Sequence, residues 1–150
     1  MADTSANHRA EQWVVEKFLP KKFKGQTFAK RNLTLKWGGQ FEFDAVSPDG
    51  RVVGVVSTSA ARTAGNKPAA GPIRKIKSDA LYLLHAANAE KLFMAFTEVS
   101  LMQTFEKERD TGRFPPEIEL LLAPLPPDLQ ADVLSTRAVA SLETSPKTRG

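Results

Sequence analysis

Cations dominate the chemistry open to the first half of this chain. Lys21, Lys22 and Lys24 fall in the run PKKFKGQTFAKRN, where Lys30 and Arg31 follow them, and Arg62, Lys67, Arg74, Lys75 and Lys77 come later. Side chains of this kind bind phosphates by charge; Phe23 and Phe28, interleaved with the lysines, read as core anchors or, where exposed, as stacking surfaces for bases. Residues 1–77 hold 14 cations against 6 acids, a net +8, whereas residues 78–150 hold 7 against 11, a net −4. That asymmetry points to an anionic partner met by the first half, with nucleic acid the commonest candidate and a solubilising surface the plain alternative. Acids able to do chemistry are fewer. In QFEFDAV, Gln40 to Val46, Glu42 and Asp44 alternate with Phe41, Phe43 and Ala45, so both carboxylates are expected on one strand face.

Other chemistries are poorly served. The chain has no cysteine, which excludes disulfides, thiolate zinc sites and cysteine nucleophiles. No phosphate-cradling or dinucleotide glycine motif and no nucleophile elbow occurs, and His8 and His85 lie too far apart in sequence for a local metal pair. Ser57, Thr58 and Ser59 close a strand with no base nearby, so they read as strand-end hydrogen-bonders rather than nucleophiles. His85 reads as a core or boundary histidine.

Elements must position these groups. Ala10, Trp13, Val14 and Phe18 mark a helix from His8 that Pro20 is expected to stop, after which the basic run is read as a loop. Leu33 to Trp37 reads as a strand turned by Gly38-Gly39 into Gln40 to Val46, and Ser47-Pro48-Asp49-Gly50 turns that strand into Val52 to Thr58. After a Gly-, Ala- and Pro-rich loop carrying Arg62 and Lys67, Ile73, Ile76, Ala80, Leu83, Leu84 and Ala87 predict a helix over Ile73 to Asn88. Arg74, Lys75 and Lys77 crowd its start, the end whose dipole repels cations, and an anion bound there would account for them. Lys91 to Thr97 is expected as a strand parallel to the Val52 strand, followed by a helix ending near Thr111-Gly112, a strand over Glu117 to Leu122 and a closing helix. Residues 1–7 and 144–150 are expected to be disordered.

The order α-β-β-β-α-β, with Asp44 near a strand end before a hairpin and an apolar strand, resembles the PD-(D/E)XK nuclease superfamily. A length of 150 residues is that of a single domain, and the resemblance implies an α/β class: a restriction-endonuclease-like mixed sheet of four to five strands flanked by helices, with its core over residues 8–98 and a carboxyl-terminal extension over 99–143. It implies Asp44 as the remnant of a catalytic, magnesium-binding site, but the Glu-x-Lys that should follow falls on Val55 and Ser57. Glu42, Ser57, a helix acid such as Glu11 or Glu16, and Lys75 or Lys77 are then the available replacements. With one carboxylate in place, magnesium would be held weakly. The expectation is a nucleic-acid-binding protein without cleavage and without a cofactor, contacting DNA or RNA through Lys21, Lys22, Lys24, Arg62, Arg74, Lys75 and Lys77. A magnesium nuclease with displaced ligands, and an assembly module dimerising through the last helix, are the alternatives. No signal core and no apolar run of about 18 residues is present, so a cytoplasmic protein without a membrane partner is expected.

Overall fold

A computed structural model describes residues 5–63 and 65–144, with side chains as far as Ala138. Helix α1 (Ser5–Trp13) passes through a π turn (Val14–Phe18) into α2 (Leu19–Lys22); β1 (Ala29–Thr34), β2 (Gln40–Val46) and β3 (Val52–Ser57) form a meander. Then α3 (Ala70–Leu84), β4 (Lys91–Phe96), α4 (Val99–Asp110), β5 (Ile118–Leu122) and α5 (Pro127–Thr144) complete the chain. The five strands lie in sequence order, β1, β2 and β3 antiparallel and β3, β4 and β5 parallel, with α3 and α4 as the crossovers. This is the expected α/β class with its mixed sheet flanked by helices. Among the described residues no helix is long and apolar enough to cross a membrane.

From Val52 to Val56 β3 is apolar because both of its faces are covered. Val53 and Val55 pack with Ile76 and Leu83 of α3 and with Leu101 and Phe105 of α4. Val56 joins Phe93, Ala95 and Leu121 on the other face, against Val14 and Leu19. Gly54 is the exception that the packing demands. A Cβ there would stand 2.3 Å from the ring of Phe93, so Gly54→Ala should cost about 1–3 kcal/mol in denaturant unfolding, a loss that an unchanged midpoint would contradict.

Several expectations are corrected. Residues 5–7 belong to α1, where Ala6 is buried with Ala10 against Val133 of α5; residues 1–4 and 145–150 lie outside the described residues. Pro20 does not stop the helix. It stands in the first turn of α2, where its missing N–H is not needed, because the π turn has already redirected the bonding: the Leu19 N–H donates to the Val14 carbonyl. Lys30 and Arg31 lie on β1 rather than in a loop, and Trp37 lies in the turn beyond it. α3 starts three residues early and ends at Leu84. The reason is competition: Leu35 bridges Ala86, and the Ala87 N–H donates to the Thr34 carbonyl at 3.0 Å, which draws that backbone out of the helix.

The carboxyl-terminal segment shares the core. β5 extends the sheet from β4, Ile118 and Leu120 join one buried cluster and Leu121 the other, and α5 packs on α1.

Candidate nucleic-acid interface

Strict alternation would put Phe41, Phe43 and Ala45 on one face, but a bulge breaks it. The β1–β2 pairing slips between Arg31↔Phe43 and Ala29↔Val46, so Phe43 and Val46 pack toward α3 while Ala45 packs toward the π turn. An extra residue in one strand bends it and re-aims the side chain there, and the side chain so placed belongs to Asp44. β2 pairs with β3 only at Ala45↔Gly54 and Val46↔Val53. Upstream of that it curls over α3, laying Phe41 on Tyr82 with ring centroids 4.2 Å apart and planes at 11°. Asp44 stands in the fork where the two strands part. Its Oδ2 accepts the Val56 N–H at 2.8 Å, so a side chain takes up a backbone donor where the ladder ends.

Charges converge on this fork from three other elements. A cleft of about 370 Å³ between α1 and the β1–β2 hairpin is lined by His8, Glu11, Glu16, Phe28, Lys30 and Asp44. The Lys30 ammonium lies 3.4 Å from Glu11, whose charge raises the lysine's pKa. Burial pushes the Asp44 carboxyl up to about 6, against the Val56 N–H that favours its charged form; the negative charge of Glu11 adds to the rise, and Lys75 and Lys30 oppose it. Lys75 itself is committed to the buried Asp79, one helical turn on, at 2.8 Å.

The donor set fits magnesium poorly. One oxygen of Asp44 is already an acceptor for backbone, and although His8, Glu11 and Glu16 line the same cleft, among the described residues no three acids or histidines stand close enough together to hold a metal ion. The ion retains most of its waters unless several charges converge on it. Val55, at the first Glu-x-Lys position, is buried toward α3. Ser57, at the second, accepts the Ser59 N–H on its hydroxyl at 3.3 Å and the Thr97 N–H on its carbonyl at 3.0 Å, the bonding of a strand end. Glu42 is exposed on β2 opposite Asn32 and acts on Lys30.

The basic residues divide between the two faces of the sheet. Lys22 lies 3.9 Å from Glu119 at the start of β5, and the neighbouring Phe23 packs with Phe28 and Phe93 on the α1 side. Lys21, Lys22 and Lys24 therefore belong to a different layer from Arg74, Lys75 and Lys77 on α3. Within α3, the charge of Lys75 acts on Asp44, whereas that of Lys77 acts on Glu108 of α4. Arg62 is held within its own loop, its Nη1 donating to the Asn66 carbonyl at 3.2 Å. Phe23 and Phe28 are anchors: their rings form one aromatic cluster with Phe93.

Lys30 belongs to the fork although the sequence placed it only in a basic run. The alternation read over Leu33 to Trp37 caught only the end of β1; its exposed first residues, Ala29 to Asn32, carry none, so nothing in the pattern extended the strand back to Lys30. Fold and site together define an α/β protein with a half-buried carboxylate set among cations at the fork of two strands. Comparison of the chain with protein-family models, with curated proteins and with solved structures finds no match.

Proposed function

We infer that this chain binds nucleic acid through its phosphates, along the fork and the first turns of α3, and does not cleave it. The observation that carries the reading is the disposition around Asp44: the charges of Lys30 on β1 and Lys75 on α3 both act on it, while β3 brings no carboxylate or cation, only a backbone N–H from Val56. Arg74, exposed one residue from Lys75, forms no ion pair among the described residues, so its charge is available to a ligand. The PD-(D/E)XK likeness of the element order agrees with such a partner, and the replaced Glu-x-Lys agrees with binding alone.

Fluorescence anisotropy with labelled oligonucleotides tests this. Affinity should fall steeply between low and physiological salt, and Arg74→Ala should reduce the logarithmic salt slope by about 1 for the phosphate contact removed. Failure of every oligonucleotide to bind at low salt sinks the reading. The approach of Glu11 to Asp44 favours one second reading, a magnesium nuclease with displaced ligands. Cleavage in magnesium that disappears in Asp44→Ala would put it first.

A further inference from the structure

The curl of the β1–β2 hairpin over α3 makes a seam that runs away from the fork. The charge of Lys75 acts on Asp44, Phe41 is stacked on Tyr82, and Trp37 is stacked on His85 with centroids 3.9 Å apart and planes at 25°. From Lys75 to His85 the seam is about 15 Å long at the rise of an α-helix. Trp37 remains 60% exposed although His85 covers one side of its ring, so the outer face of the indole is open. Both partners are held in place. The Nδ1–H of His85 donates to the Leu81 carbonyl at 2.8 Å, and Lys36, next to Trp37, donates from Nζ to the Leu84 carbonyl at 3.3 Å and from its backbone N–H to the His85 carbonyl at 2.7 Å. Arg74, Ser78 and Leu81 fall at four- and three-residue spacings, which puts them on one stripe of α3, and His85 follows just past the helix end. One end of that stripe is cationic and the other is a preordered aromatic plate.

We propose that this seam takes a single-stranded nucleic acid, with a phosphate at Arg74 and an unpaired base stacked on the open face of Trp37. The proposal rests on the nucleic-acid reading above and adds the strandedness of the ligand. A duplex hides the faces of its bases inside the stack, whereas a single strand presents them, and aromatic side chains beside a charged track are the usual means of holding it.

Anisotropy titrations at low salt with labelled oligo-dT, oligo-U and a DNA duplex of equal length provide the test. Both single strands should bind more tightly than the duplex, and Trp37→Ala should weaken them about tenfold while leaving duplex affinity and melting temperature unchanged. Trp37→Phe, which keeps a ring, should retain most of the affinity. In the unlabelled protein oligo-dT should quench indole emission, and the quenching should vanish in Trp37→Ala, where Trp13 still reports. Equal affinity for single strands and duplex, or single-strand binding and quenching indifferent to Trp37, overturns the proposal and leaves phosphate binding standing. If no polymer binds, the nucleic-acid reading falls and this one falls with it.

Discussion

Asp44→Asn is expected to stabilise the protein at neutral pH by about 2–3 kcal/mol and to flatten its stability between about pH 4 and 6. In the folded chain the carboxyl titrates near 6, raised from the ordinary 3.8, chiefly by burial. Between those values the folded state binds a proton that the unfolded state has released, so stability is highest below about pH 4, declines as pH rises toward 6 and is level above it. Asparagine removes the buried charge and keeps an oxygen for the Val56 N–H. Alanine removes the charge too but leaves that N–H without its acceptor, an added cost of about 1–3 kcal/mol, so Asp44→Ala should be the less stable of the two. Denaturant unfolding at several pH values measures all of this; parallel profiles for the wild type and Asp44→Asn would show that Asp44 is not the titrating group. An acid that weakens the fold where it stands is one that packing alone does not favour, which makes the fork a place to look for function.

The second large effect belongs to Phe93. Its ring is fully buried, lies over Gly54 and packs with Phe23 at 5.1 Å and Phe28 at 5.9 Å, and the Lys91 ammonium sits 5.4 Å from the Phe23 ring. Phe93→Ala should cost about 3–5 kcal/mol, or about 10 °C in melting temperature for a chain of this size. Because those two phenylalanines anchor the basic run, limited proteolysis should also become faster at Lys21, Lys22 and Lys24. Gly54→Ala should lose most of its own cost in the Phe93→Ala background, since the two share one clash. A loss below about 1 kcal/mol for Phe93→Ala would mean that the ring is not the anchor.

What could be read from residue order was set by how local its cause is. The hairpin turn was legible because Ser47, Asp49 and Gly50 form it among themselves: the Ser47 hydroxyl donates to Asp49 at 2.7 Å, and Gly50 takes a φ of 73°. α3 and the parallel pairing of β3 with β4 were legible from a buried stripe and a crossover. The bulge was not, because alternation holds from Gln40 to Ala45, the apolar Val46 after it reads as a plain strand end, and only the pairing with β1 reveals the extra residue. Pro20 misled for a related reason, since a π turn absorbs a missing donor that an α-helix would not. At the site, the residues alone placed Asp44 on a strand face with Glu42, and the resemblance singled it out, with Glu11 as one of two helix acids that it also implied. The stacking of Trp37 on His85 joins residues 48 positions apart, and neither carries a mark of the other.

β1 forms one border of the sheet, and nearly all of its residues are exposed. A border strand leaves a row of backbone donors and acceptors facing water, a template onto which another molecule's strand can zip. Lys30 and Arg31 sit on that border, so the cations set beside the fork also repel a like-charged copy and act as gatekeepers against aggregation.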